Sequence, residues 1–204
     1  MAESNFSLKD QLFNAQTVEW LANQFRASLD PAAFKAEVME RMLDLELKQR
    51  VAWIAEVLAR HLPQDFPAAA DAIEAALPPA LDPTKTDDDF GDFILAPLGD
   101  YVATHGLDEA NVSRALTALH QITQRFSMEF AIRFFLRDWP EETGKTLEVW
   151  AQDTNYHVRR LASEGTRPRL PWAPRVKVDE GLRDRLLDQL HADPTRYVTR
   201  SVAN

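Results

Sequence analysis

The chain has 204 residues, 45% of them hydrophobic and 27% charged, with a formal net charge of −9. That length supports one domain with a sizeable core over residues 1–204, and the absence of cysteine excludes a disulfide framework and a thiolate metal site. The opening MAESNFSLKD has neither the basic start nor the apolar run of a secretory signal, and no stretch approaches the roughly 20 apolar residues of a membrane span, so a cytoplasmic protein with no membrane partner is expected.

In chain order the elements read as helices. Val18, Leu21, Ala22 and Phe25 form one apolar stripe over residues 15–28. Asp30 followed by Pro31 marks the next start, a capping oxygen before the residue tolerated at the first helical position. A stripe through Phe34, Val38, Met42 and Leu45 leads into a helix over 45–62 that Pro63 ends. A further helix runs over 66–77 and stops at Pro78 and Pro79, after which LDPTKTDDD reads as a surface connection whose Asp87–Asp89 run suits a solvated helix entry. Residues 90–105 and 108–126 make a pair across Gly106, SMEFAIRFFLRDW follows over 127–139, and Pro140 opens a helix to Trp150. Asn155 opens a short helix ended by Gly165, Asp179 opens another to Leu190, and Asp193-Pro194 opens one still running at Asn204, so the last repeat is expected to be truncated there.

One frame recurs. Asp153, Val158 and Arg160 return as Asp193, Val198 and Arg200, and Asp108, Val112 and Arg114 give a looser copy. A period near 40 built from helix pairs fits a HEAT-like or armadillo-like α-solenoid, in which each pair buries its face against its neighbours. The expected fold is therefore all-α, a stack of antiparallel helix pairs with a concave binding face.

The stretch NYHVRRLASEGTRPRLPW over 155–172 stands apart. From His157 to Lys177 there are six Lys/Arg residues against one acid, a local charge of +5 that leaves −14 for the remainder. A concentrated basic segment in an acidic chain points to a specific polyanionic partner. Arg160 and Glu164 lie on one helix face and can pair, as a surface ion pair or as part of a site. Glu129, flanked by Phe126, Phe130, Phe134 and Trp139, is either a helix-start acid after a Ser127 cap or a desolvated carboxylate able to stabilise positive charge. Trp172 is either a stacking platform or a plug between repeats, and His157 either a phosphate ligand or a packed residue. No nucleotide-loop, zincin or serine-hydrolase pattern is present, and nothing in the residues requires a metal or cofactor.

The segments FSLKDQLFNAQTVEWLA, LELKQRVAWIA, NYHVRRLASEGTRPRLPW and RYVTRSVAN together resemble the AlkC branch of the bacterial DNA alkylation repair glycosylases, relatives of AlkD. The resemblance implies a HEAT-like-repeat solenoid that cradles double-stranded DNA and cleaves the N-glycosidic bond of cationic alkylated bases, chiefly 3-methyladenine and 3-methylcytosine. It also implies site roles for Arg160 and Glu164 of the RRLASEG helix, for Trp172 and, on a shorter motif, for Glu129. Glu129 and Glu164 are then the expected catalytic pair, with Arg159, Arg160, Arg167, Arg169, Trp172 and His157 at the DNA. Some members carry a C-terminal immunoglobulin-like domain, and this chain stops before that point. The matched motif holds no lysine able to form an imine, so a monofunctional enzyme is expected, acting as a monomer at the nucleoid. A non-catalytic DNA-binding module or scaffold is the alternative.

Overall fold

The computed structural model describes residues 7–85, 87, 90–171 and 173–204, and local chemistry sets where its helices begin. Helix α1 spans Leu8–Leu12 and α2 spans Ala15–Gln24, the latter capped by Asn14, whose side chain accepts from the Gln16 and Thr17 amides. The Asp30 carboxylate accepts from the Ala32 and Ala33 amides at 2.9 and 3.3 Å, and Pro31 is the first residue of α3, Pro31–Met39. Helix α4 covers Leu47–His61, and α5, Phe66–Ala75, is capped by Asp65. Helices α6 (Ala96–His105), α7 (Val112–Thr123), α8 (Ile132–Asp138) and α9 (Pro140–Trp150) follow. Helix α10 (Tyr156–Gly165) is capped by Asn155, α11 (Glu180–Leu190) by Asp179, and α12 (Arg196–Ala203) closes the series.

These helices stack in two rows. Helices α4, α6, α8 with α9, and α11 form one row, and α5, α7, α10 and α12 form the other, with cross-contacts such as α6 on α7 and α9 on α10. The all-α, HEAT-like-repeat arrangement is the expected one, and among the described residues the only β pairing is a single bridge between Gly91 and Phe126.

The 40-residue frame has a visible cause. Val158 and Val198 are fully buried between successive repeats. Asp153 and Asp193 each accept from a backbone amide two residues on, that of Asn155 at 2.7 Å and that of Thr195 at 2.8 Å. Each is also gripped by a basic side chain of the preceding repeat: His120 Nε2 lies 2.8 Å from Asp153, and Arg159 Nε lies 2.6 Å from Asp193. The frame is thus a turn plus a latch between repeats.

Four expected details differ, the first being that the helix expected from residue 90 begins only at Ala96 because Gly91 is held in a bridge to Phe126. Helix α12 starts at Arg196 rather than after Asp193-Pro194, because the Asp193 carboxylate is spent on Thr195 and Arg159. Helix α8 starts at Ile132, and Ser127 caps nothing; its hydroxyl accepts from Arg160. Asp87 does not open a helix but pairs with Arg196 and Arg200 of α12, while Asp88 and Asp89 lie outside the described residues.

Candidate functional site

Every residue of α10 except Arg159 is buried, although the helix carries His157, Arg160, Ser163 and Glu164. A helix buried on nearly all sides must satisfy its polar groups from neighbouring elements, and α7, α9, α11 and α12 all pack on it. The partners found define the site.

Arg160 bridges the two acids singled out in the sequence. Its guanidinium lies 3.3 Å from Glu129 Oε2 and 3.6 Å from Glu164 Oε2, and it donates to the Ser127 hydroxyl at 2.6 Å. Tyr197 of α12 and Phe90 flank it, with the guanidinium carbon 4.7 and 5.9 Å from their ring centres. Burial pushes the Tyr197 hydroxyl well above the ordinary tyrosine range, so it stays neutral, and it has no hydrogen-bond partner among the described residues.

The two carboxylates are not equivalent. Glu164 is the more enclosed, with 6% of its side chain exposed, and both its oxygens are engaged: Oε1 accepts from Arg167 at 2.6 Å and Oε2 from the Ser201 hydroxyl at 2.7 Å. Glu129 keeps 15% exposure, and its Oε1 has no hydrogen-bond partner among the described residues. One acid is locked into the protein and the other has an open oxygen.

Phe90 is held at this spot by backbone. Gly91 adopts φ +75°, and a Cβ there would lie 1.7 Å from the Arg125 carbonyl oxygen, so only glycine fits the bridge to Phe126. Phe90 itself is 48% exposed. Ser127, Phe90, Tyr197 and Ser201 escaped the sequence reading as site residues, since each reaches α10 from another repeat. Tyr197 and Ser201 do lie within RYVTRSVAN.

The basic residues divide. Arg159 is held by Asp193 and by the carbonyls of Asp153 and Thr154 at 2.8 and 3.0 Å, which turns it into an inter-repeat latch and leaves it away from any open face. His157 is 3% exposed and stacks on Tyr156 and Tyr197, a packed position inconsistent with a phosphate ligand. Arg167 is committed to Glu164. Arg169, with Arg175 and Lys177, is exposed. Trp172 lies outside the described residues.

Beside the cluster, an apolar cleft of about 440 Å³ opens between α4, α6, α8 and the segment after α10, lined by Phe93, Phe126, Met128, Phe130 and Pro174 and touching Ser127. Asp100 borders it, and burial raises that carboxyl above the ordinary range against a smaller opposing effect of Lys48.

No protein-family model matches the chain. It is 32% identical over 202 residues to the uncharacterized protein YhaZ of Bacillus subtilis (strain 168), a match that covers 95% of this chain and 53% of that protein. The fold superposes on the Pseudomonas fluorescens alkylpurine DNA glycosylase AlkC bound to DNA containing an abasic-site analogue, with TM-score 0.82 and 34% identity over 98% of this chain. Over nearly its whole length the chain is therefore similar in sequence and fold to an AlkC glycosylase. It spans about half the length of these two relatives, 53% of one and 55% of the other. No helix among the described residues is long and apolar enough to cross a membrane.

Proposed function

We propose that the chain is a monofunctional DNA glycosylase that hydrolyses the N-glycosidic bond of cationic alkylated bases, 3-methyladenine and 3-methylcytosine, in double-stranded DNA. The observation that carries this reading is the bridging of Glu129 and Glu164 by Arg160, with Glu129 alone keeping an open oxygen. The likeness to the alkylpurine DNA glycosylase AlkC, whose structure holds DNA with an abasic-site analogue, supports the substrate class.

N3-alkylation gives the base a positive charge, so it departs as a neutral molecule with the electron pair of the C–N bond. No strong general acid is then needed. Positive charge develops at the sugar C1′, as in glycoside hydrolysis, and a carboxylate beside it stabilises that charge or orients the attacking water. The water oxygen bonds to C1′ and its proton passes to the carboxylate or to solvent. Glu129 fits this role because its free oxygen can face a ligand. Glu164 is the positioning acid: it holds Arg160 from one side while Ser127 and Glu129 hold it from the other, and Arg160 keeps the two carboxylates from repelling each other. Exposed Arg169, Arg175 and Lys177 supply the phosphate contacts. Because water is the nucleophile, the reading needs no imine-forming lysine, and none lies within the Arg159–Trp172 motif.

Release of free base from methylated duplex DNA tests the proposal. Release of 3-methyladenine or 3-methylcytosine is expected. Tight DNA binding with no base released would leave a DNA-binding module and refute the enzyme.

A further inference from the structure

Two arginines are fully buried, and they are not alike. Arg50 donates to the carbonyls of Lys9, Phe13, Leu43 and Leu45, and its charge is balanced by the Asp10 carboxylate at 2.6 Å. Arg133 of α8 has no carboxylate partner among the described residues. Its Nε donates to the Pro174 carbonyl at 2.7 Å, its Nη1 donates to the carbonyls of Gly165 at 3.0 Å and Arg167 at 2.7 Å, and its Nη2 has no partner among the described residues. Burial and the neighbouring Arg167 cation both work against its charge.

Burying a guanidinium that no anion compensates is costly, and packing alone is served better by an apolar side chain of the same volume. What a guanidinium adds is a rigid fork of donors able to hold several carbonyls at fixed angles. Here the fork grips both ends of one segment: Gly165 and Arg167 where the chain leaves α10, and Pro174 seven residues after Arg167. The intervening residues carry the exposed Arg169, and Arg133 lies four residues after Glu129 in the same α7–α10 stretch of chain. Close packing reinforces the join, since a Cβ at Gly165 would meet the Ile132 side chain at 2.6 Å.

We infer that Arg133 is a positioning residue: it ties Gly165 and Arg167 to Pro174 and so fixes the loop that carries Arg169 relative to Glu129, so that Arg169 meets DNA in register with the lesion. The inference rests on the proposed glycosylase reading for its DNA half, and on geometry alone for the loop half. Preforming the loop removes an ordering cost that binding would otherwise bear.

Arg133→Met, which removes the donors and keeps the bulk, and Arg133→Lys, which keeps the charge and loses the fork, are compared with wild type below the Tm of all three. The loop half is read by trypsin. Arg167 is followed by Pro168 and resists cutting, so cleavage after Arg169 reports the loop, and cleavage after Arg26 in an exposed turn serves as control. Cutting after Arg169 is expected to accelerate at least about tenfold in both variants with the control unchanged. Equal rates in variant and wild type overturn the clamp. The DNA half is read by a double-mutant cycle with Arg169→Ala. That change is expected to weaken binding of methylated duplex in wild type and to have little further effect in Arg133→Met. An equal effect in both backgrounds overturns positioning at DNA. If Arg169→Ala is silent in wild type, the strap's DNA role falls with the glycosylase reading of this segment, and the trypsin result still decides the clamp.

Discussion

Replacing Glu129 by Gln separates chemistry from architecture. The amide oxygen keeps an acceptor for Arg160, which also retains Ser127 and Glu164, so no buried charge is stranded. With 15% of the side chain exposed, exchanging a charge-assisted contact for a neutral one costs about 1 kcal/mol of stability. The kinetic cost is larger. A carboxylate about 5 Å from a developing charge at C1′, at an effective dielectric of about 20, contributes about 3 kcal/mol, which is on the order of 10²–10³ in rate. Single-turnover base release from methylated duplex, with anisotropy for affinity and a melting curve on the same preparation, reads all three quantities. Release is expected to fall by that factor while affinity holds and the Tm shifts by a few degrees. Glu164→Gln is expected to lose stability as well, by about 1–3 kcal/mol, because a buried acceptor of both Arg167 and Ser201 is altered. A Glu129→Gln protein that releases base at the wild-type rate would remove Glu129 from the chemistry and refute this account.

Other outcomes follow from the same geometry. Replacing Arg169, Arg175 and Lys177 together by Ala is expected to lower the slope of log affinity against log salt by up to about 0.9 per residue, whereas Arg159→Met leaves the slope unchanged and lowers the Tm; a salt titration and a melt distinguish them. Phe90→Ala is expected to keep the Tm within a few degrees, because nearly half of the residue is exposed, and to reduce base release; unaltered release would make it a bystander. Asp100→Asn is expected to raise the Tm at neutral pH. Burial raises the folded-state pKa of Asp100 above its ordinary 3.8, so the folded protein binds the proton more tightly and its ionisation costs stability as pH rises. The gain from Asn is expected to shrink as pH falls and to vanish below 3.8, and a gain independent of pH contradicts that cause.

Much of the fold was legible because its determinants are local. Asp30, Asp65, Asn155 and Asp179 act as caps over two or three residues, and Asp153 and Asp193 recur because both copies use the same turn and latch. Of the site, the Arg160–Glu164 pair was legible from a four-residue spacing. The aromatic flank singled out Glu129, but its approach to Arg160 across 31 residues was not set by any pattern, and only the resemblance put the two in one site. Ser201 reaches Glu164 across 37 residues, and no local signal marks a serine in a terminal helix as a carboxylate's partner.

Arg159 shows what counting charge leaves out. Consecutive helical residues point about 100° apart, so Arg159 and Arg160 cannot serve one face. With Arg160 turned to the carboxylates, Arg159 is directed toward the next repeat, where Asp193 waits. The same sorting runs through the whole basic stretch. Arg159, Arg160 and Arg167 face inward and are neutralised by Asp193, Glu129 and Glu164, while Arg169, Arg175 and Lys177 face outward with no ion-pair partner among the described residues. The local charge of +5 therefore overstates the attraction to a polyanion and hides its direction. Of the inward cations, Arg160 and Arg167 hold the two carboxylates and Arg159 latches the next repeat, so within this stretch only the three outward ones lie open to solvent.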